Sequence, residues 1–242
     1  MKRKSFFWRR VSFLFGFSVI CMLIVSVSYF AGERVASAGG AKPALAGDRI
    51  TVIIDAGHGG RDGGASTESG VLEKDLNLAV ALKLRDLVAT LDADVVMTRE
   101  TDVMLASESS QHKKRDDLNA RLNMAREREN CIFVSIHMNK FPVEKYSGLQ
   151  VYYSGNNEES LALAEAIQER AGEFLRKGNA RTVKKADSSI YILHHIEAPA
   201  VLVECGFLSN PEEAALLCTE EYQNKLAAVI FAAVAEYVQN TE

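Results

Sequence analysis

The sequence predicts an α/β fold in which a mostly parallel sheet is covered by helices on both sides. After residue 49, short runs of branched apolar residues recur, each of a length typical of a buried strand. Longer segments with apolar residues at helical spacing lie between these runs. Such an alternation of buried strands and amphipathic helices is typical of a parallel sheet with helices on its faces.

Five apolar segments are predicted strands, because each is short and rich in branched or aromatic residues. They are residues 50–55, 94–99, 131–137, 148–153 and 200–204. Residues 181–186 are a candidate short strand, whereas residues 190–196 are compatible with either a strand or a short helix. The polar segments 61–70 and 100–114 are predicted loops.

Four segments place apolar residues on one side of a helix, at spacings of three and four residues. The first starts at Leu72 and continues to Val88, with Leu76, Val80 and Leu84 on its apolar face. The other three predicted helices are residues 115–129, 158–175 and 220–238.

The N-terminal segment has the features of a membrane anchor or export signal. Residues 1–10 are basic, and residues 11–31 are uncharged and almost wholly apolar over a length of about 20 residues, which matches a bilayer core. The positive flank predicts that the N-terminus stays in the cytoplasm and that the chain after residue 31 is exported. The length favours an uncleaved anchor, although Ala36-Ser37-Ala38 resembles a signal-peptidase site and leaves a cleaved signal open. Residues 32–48 are predicted to be a linker, and residues 49–242 one globular domain.

The charge is unevenly distributed. Residues 1–47 carry seven Lys or Arg and one acidic residue, a net charge of +6, so the chain's net charge of −4 leaves −10 for the remainder. Nucleic-acid affinity depends on neutralising phosphates, and an acidic domain is therefore not expected to bind nucleic acid. The four cysteines show no CxxC spacing, which predicts free thiols rather than a disulfide framework or a cysteine metal site.

Polar residues follow three of the predicted strands. His58 lies in the glycine-rich exit of the first strand, and His137 and Glu204 come directly after apolar runs. Ligands of open α/β sheets bind beyond the carboxyl ends of the strands, so neighbouring parallel strands would bring these three residues to one edge. Glu73, at the head of the following helix, would enter from the same side.

Each of these residues also has an ordinary structural interpretation. A single histidine at a strand end is more often a hydrogen-bonded structural residue than a ligand, and Glu73 in a first helical turn is compatible with helix capping. Glu204 is the exception, because a carboxylate after apolar residues is costly to bury without a partner. His194 and His195 are expected to be structural or at the substrate edge.

Together the residues form a catalytic zinc set. Two histidines and one carboxylate, His58, His137 and Glu73, leave a fourth zinc position open. Zinc lowers the pKa of a bound water from 15.7 to about 7, and a separate carboxylate must then move the proton. Glu204 is the candidate for that role, since it is the strand-end carboxylate that the metal does not use.

Four ordered motifs resemble those of the zinc-dependent N-acetylmuramoyl-L-alanine amidases. They are DAGHGG at residues 55–60, the glutamate of LEKDLNLAVA at residue 73, SIHMN at 135–139 and VECGFLSN at 203–210. The resemblance implies that His58, Glu73 and His137 bind Zn²⁺ and that Glu204 is catalytic. It further implies a twisted, mostly parallel sheet and a zinc amidase domain over residues 49–242, which hydrolyses the amide between N-acetylmuramic acid and L-alanine in peptidoglycan.

A narrower resemblance concerns the germination-specific amidases of spore-forming bacteria. It rests on the short anchored chain, on RETD at residues 99–102 and on SGLQVYYSG at 147–155. It implies action outside the cytoplasm, on the spore cortex, in the formation of muramic δ-lactam. Two alternatives remain open: a zinc peptidase of the cell wall, and a cell-wall-binding protein without catalysis. A fortuitous metal set in a structural domain fits the combined motifs poorly. The sequence identifies no protein partner.

Overall fold

Six strands form one sheet in the described part of the chain. The computed structural model describes residues 49–175, 179 and 181–241, so the predicted basic flank, membrane or signal segment and linker lie outside the described residues. The strands are β1 (Thr51–Ala56), β2 (Asp94–Met97), β3 (Cys131–Asn139), β4 (Gln150–Tyr153), β5 (Lys184–Lys185) and β6 (Ala200–Phe207). Their order across the sheet is β2-β1-β3-β6-β4-β5.

The four strands β2, β1, β3 and β6 are mutually parallel, whereas β4 runs antiparallel to β6 and pairs in parallel with β5. The sheet is therefore mixed, with its long central strands parallel as the sequence predicts. Register within the parallel part places Asp55 beside Ser135 and His137 beside Glu204. Residues paired in this way direct their side chains to the same face of the sheet.

Six helices accompany the sheet in the described residues. They are α1 (Glu73–Val88), α2 (Lys113–Arg126), α3 (Glu159–Phe174), α4 (Tyr191–His195), α5 (Pro211–Leu217) and α6 (Glu220–Thr241). None of the described helices is both long and apolar enough to cross a membrane.

The two faces of the sheet bury different cores. Val52, Ile54 and Val203 belong to the larger core, which α1, α3 and α6 cover. Ile53 and Phe133 point the other way, into a smaller core beneath α2 and α4. Successive residues of a strand therefore enter opposite cores. Each large buried side chain stabilises the fold by about 1.5–3 kcal/mol. The predicted fold class, a sheet flanked by helices, is confirmed.

Four elements resolve or depart from the sequence-based expectation. Residues 190–196, left ambiguous by the pattern, contain the short helix α4. Strands β3 and β6 continue past His137 and Glu204, since Met138 and Cys205 extend the larger core beyond them. Helix α5 was not predicted, although Asn210 caps it by accepting a hydrogen bond from the Glu213 amide at 2.9 Å.

Candidate metal centre

Three of the predicted site residues, His58, Glu73 and His137, converge on the side of the sheet where the parallel strands end. Each offers one possible ligand atom, and these atoms lie within 4.8 Å of one another. Glu73 Oε1 is 2.9 Å from His137 Nδ1 and 3.2 Å from His58 Nε2. The fold thus brings the three side chains into one cluster, as the motif spacing predicts.

The backbone at His58 adopts an unusual conformation. Its φ is 62°, which makes it the only non-glycine residue with positive φ in the described part of the chain. A side chain in this left-handed region costs of order 1–2 kcal/mol, so neighbouring contacts must hold it there. The carbonyl oxygen of His58 accepts a hydrogen bond from Arg121 Nη2 at 2.6 Å, and Arg121 Nη1 donates to the Ala56 carbonyl at 2.8 Å.

Arg121 is itself held by a buried ion-pair network. Its guanidinium lies 2.6 Å from Asp55 Oδ1 and 2.8 Å from Asp117 Oδ2, and the side chains of Arg121 and Asp55 are 2% and 1% exposed. Asp55 also accepts hydrogen bonds from Ser135 and Thr98. Burial alone would raise the pKa of Asp55, but the charge of Arg121 and these hydrogen bonds hold it below its usual value. The first strand therefore ends in a fixed position beneath His58.

Two glycines leave the space that the cluster occupies. A Cβ at Gly57 would lie 2.2 Å from His137 Nε2, and a Cβ at Gly64 would lie 2.5 Å from Glu73 Oε2. Real Cβ atoms do not approach so closely, and Gly64 also has φ of +65°. Gly57 and Gly64 are therefore required by the close approach of the His137 and Glu73 side chains.

Glu73 is turned into the cluster rather than used as a helix cap. No side chain caps the start of α1. Instead, Glu73 Oε2 accepts from the Ala65 amide at 2.8 Å, and Oε1 accepts from the Met138 amide at 3.2 Å. Burial alone would raise the pKa of Glu73, but hydrogen bonds from His137 and His58 outweigh it and hold the pKa well below its usual range.

Asp62 is a site residue that the sequence analysis missed. Asp62 Oδ2 lies 2.9 Å from His58 Nδ1, so both ring nitrogens of His58 face a carboxylate. Burial would lower the pKa of His58, but hydrogen bonds to Glu73 and Asp62 raise it to about 9. A carboxylate on the remote nitrogen of a ligand histidine fixes the tautomer and the ring orientation. The available signal was the four-residue spacing of His58 and Asp62 in a glycine-rich loop.

Glu204 lies beside His137 in the pairing of β3 and β6. Its Oε2 atom is buried and has no hydrogen-bond partner. Among the described residues, the only other buried side-chain oxygen or nitrogen without a partner is Asn77 Oδ1. Burial raises the pKa of Glu204 to about 7, although the charge of His137 opposes that shift. A carboxyl group with a pKa near neutrality can both accept and return a proton.

The remaining histidines of the described chain lie apart from this cluster. His194 and His195 are neighbours at the end of α4, and His195 Nδ1 is bonded to the Tyr191 carbonyl oxygen at 2.8 Å. His112 is exposed and precedes α2. Whether His194 and His195 are structural or lie at the substrate edge stays a prediction.

The donor set fits zinc. Two imidazole nitrogens and one carboxylate oxygen are the ligands of many catalytic zinc sites, which keep a fourth position for water or substrate. A buried carboxyl oxygen without a partner, Glu204 Oε2, lies on the adjacent strand. The remote nitrogen of His58 has the carboxylate that ligand histidines ordinarily contact.

Comparisons with known proteins agree with this geometry. A family model described as N-acetylmuramoyl-L-alanine amidase matches residues 52–236. The chain belongs to the N-acetylmuramoyl-L-alanine amidase family. It is 39% identical over 191 residues to the germination-specific N-acetylmuramoyl-L-alanine amidase of Bacillus subtilis, and the match covers 77% of this chain and 78% of that protein.

Solved amidase structures have the same fold. The CwlD amidase from Clostridioides difficile, solved in complex with the GerS lipoprotein, has a TM-score of 0.75 and 40% identity, covering 79% of this chain and all of that one. The catalytic domain of the amidase CwlV from Bacillus (Paenibacillus) polymyxa has a TM-score of 0.66 and 30% identity, covering 78% of this chain and 98% of that one. This amidase is therefore an enzyme of the same class, and its similarity to the germination-specific amidases is confirmed.

Proposed function

We propose that this amidase depends on zinc and hydrolyses the amide that joins N-acetylmuramic acid to the L-alanine of peptidoglycan stem peptides. The supporting observation is the cluster of His58, Glu73 and His137 with the partnerless carboxyl oxygen of Glu204 on the adjacent strand. Family membership supports the choice of bond.

His58, Glu73 and His137 would hold the ion through one atom each. When bound, zinc supplies Lewis-acid chemistry, which polarises a carbonyl group and makes water more acidic. Asp62 keeps the proton of His58 on Nδ1, so that Nε2 is free to bind the metal. The Arg121 network holds the His58 backbone, and with it the ring, in one position.

Glu204 performs the proton transfers in this proposal. Its Oε2 atom accepts a proton from the attacking water and then delivers it to the departing alanine nitrogen. In the metal-free protein burial raises the pKa of Glu204 to about 7, and a carboxyl group that ionises near neutral pH suits both steps. If Glu204 were instead a fourth metal ligand, no position would remain for water.

Two other functions would use the same cluster. A zinc peptidase of the cell wall would share the metal chemistry and differ in the bond cleaved. A cell-wall-binding protein would not need a carboxyl group in the position of Glu204, and the cost of burying that group favours an enzyme.

Digestion of purified peptidoglycan separates these possibilities. We expect the zinc-loaded full chain to release material with new amino-terminal alanine. These termini are identified by labelling the free amino groups of the digested material before it is broken down to single amino acids. New amino termini at other stem residues would indicate a peptidase. The absence of any new amino terminus, with zinc bound, would indicate a binding protein.

The name of a relative supports a proposal for the cellular role. We propose that the enzyme acts outside the cytoplasm, anchored or secreted through residues 1–31, and contributes to muramic δ-lactam in spore cortex; its Bacillus subtilis relative is named for germination. A cytoplasm-specific fluorescent reporter fused after Glu242 should remain dark. Expression in a spore former that lacks its germination-specific amidase should restore δ-lactam to the cortex. Cortex that stays without δ-lactam would contradict this role.

A further inference from the structure

A row of side chains continues from the metal cluster across the sheet. Glu204 pairs with His137 on one side and with Gln150 of β4 on the other. Paired residues of adjacent strands point to the same face, so His137, Glu204 and Gln150 lie side by side. Arg181 Nη1 lies 3.5 Å from Gln150 Oε1, so the guanidinium of Arg181 lies at the Gln150 end of this row.

Among the described residues, Arg181 is held in place by neutral partners. Its guanidinium lies over the ring of Phe207, 4.7 Å from the centroid, and Nε donates to the Ser147 carbonyl at 3.0 Å. Within residues 49–175, 179 and 181–241, no carboxylate forms a salt bridge with it. A partly buried arginine held by neutral partners is pre-organised to bind a carboxylate from outside the protein.

Tyr152 lies on the same face as Glu204 and is influenced by the charges of both Glu204 and Arg181. It lies two residues from Gln150 on β4 and faces the same side of the sheet. Burial and the charge of Glu204 raise the pKa of Tyr152, whereas Arg181 opposes that shift. The Tyr152 ring also lies 5.8 Å from the Lys184 ammonium. Tyr152 is partly buried and Lys184 is exposed, so the row ends on an accessible strip that carries the positive charges of Arg181 and Lys184.

The spacing of the row matches the length of a short peptide. Adjacent strands lie about 4.8 Å apart, so Gln150 is on the order of 10 Å from His137 across two strand spacings. An extended residue spans about 3.3–3.6 Å, so a group near Arg181 belongs to the second or third residue after the scissile amide. In common stem peptides the residue after alanine is a glutamate linked through its side chain, which leaves its α-carboxyl group free or amidated.

We propose that Arg181 is a specificity-determining residue that binds the free α-carboxylate of this second stem residue. The inference rests on the proposed amidase function and deepens it by naming which form of the stem peptide is preferred. Arg181 would place the peptide along the row, with the scissile amide between His137 and Glu204. A hydrogen-bonded charge pair of this kind corresponds to a preference of about 10- to 100-fold for the free carboxylate over its amide.

The test uses two soluble muropeptides that differ only in this group, one with a free carboxylate and one with an amide. The zinc-loaded full chain should cleave the free form with the higher kcat/KM, mainly through a lower KM. Arg181→Gln should reduce the ratio to near one. Lys185→Gln is the matched control, because it removes a positive charge from β5 at the residue next to Lys184, on the opposite face of the strand, and it should keep the wild-type ratio.

Each outcome decides a separate point. An unchanged ratio in Arg181→Gln, or a wild-type enzyme that cleaves both muropeptides equally well, would overturn the role of Arg181 while leaving the amidase function intact. No cleavage of either muropeptide at the alanine amide would refute the proposed function and this inference with it. If thermal melting shows that Arg181→Gln is unfolded, Arg181→Lys is used instead. This variant keeps the charge but lacks the planar fork, so its ratio of kcat/KM for the two muropeptides should be intermediate. A wild-type ratio in Arg181→Lys would contradict recognition by the guanidinium.

Discussion

Glu204 lies directly opposite His137 in the parallel pairing of β3 and β6, and its buried Oε2 atom has no hydrogen-bond partner. Because both residues lie in paired strands, the distance between the proposed metal ligand and the proposed proton-transfer group is set by the sheet rather than by a loop. Under the proposed function, this arrangement keeps the Glu204 carboxyl group close to the metal position without making it a ligand. It also predicts several measurable properties.

Removal of the Asp62 carboxylate should weaken zinc binding. Asp62 Oδ2 contacts His58 Nδ1 at 2.9 Å, and loss of such a partner typically costs 10- to 100-fold in metal affinity. We expect Asp62→Ala to raise the dissociation constant for zinc about 10- to 100-fold, as measured by chelator competition. Glu68→Ala removes an exposed carboxylate from the same loop and should leave the affinity unchanged. Equal affinities in wild type and Asp62→Ala would show that Asp62 does not support the ligand.

Zinc binding should release a proton near neutral pH. In the metal-free protein both nitrogens of His58 face carboxylates, and its pKa is raised to about 9. The raised pKa stabilises the metal-free fold fully below about pH 6.5, and that stabilisation is lost as pH rises through about 9. Because a ligand histidine must be neutral, zinc affinity should rise about tenfold per unit between pH 7 and pH 8. Calorimetry in two buffers of different ionisation enthalpy should detect one released proton; no buffer dependence would contradict this assignment.

The Arg121 ion-pair network should be a major contributor to stability. Arg121→Ala leaves Asp55 charged and buried, and breaking a buried pair in this way costs about 3 to 5 kcal/mol in the free energy of unfolding. The control, Arg170→Ala, removes an arginine that pairs with the more exposed Glu236, and should change the free energy by at most about 1 kcal/mol. Urea unfolding measures both. Similar losses in the two variants would mean that the buried network contributes no more than a surface pair.

The Glu204 carboxyl group should destabilise the metal-free protein at high pH. Its pKa is raised from 4.5 to about 7, so the proton is bound more tightly in the folded state than in the unfolded state. The resulting stabilisation is complete below about pH 4.5 and is lost as pH rises through about 7. Relative to Glu204→Gln, the wild type should therefore lose about 3 kcal/mol between pH 4.5 and pH 8. A difference that does not vary with pH in urea unfolding would contradict the raised pKa.

The sequence predicted the elements that carry apolar periodicity. The five predicted strands and the four predicted helices follow from it, and the positions of His58, His137 and Glu204 after apolar runs indicated that these residues meet on one side of the sheet. Helix α5 has too few residues to establish a period, and its only signal was the Asn210-Pro211 start. The antiparallel direction of β4 could not be predicted either, because strand direction depends on the path of the connecting loops.

The supporting residues of the site were harder to predict, since they are charged. Asp117 and Arg121 lie four residues apart in α2, a spacing that usually indicates an ion pair on a solvent-exposed helix face. In the structure this face is turned toward Asp55 and the His58 backbone, so both residues are buried. A buried charge becomes predictable only when its partner is known, and these partners are distant in sequence.

Paired measurement of zinc content and turnover in two variants tests the central claim most directly. Glu204→Gln preserves size and hydrogen bonding but cannot accept a proton, so we expect about one zinc per chain and at least about a 100-fold loss in the release of amino-terminal alanine from peptidoglycan. His137→Ala should lose zinc and activity together. Undiminished turnover in Glu204→Gln would contradict its role in proton transfer, and loss of zinc from that variant would show that Glu204 is a ligand instead.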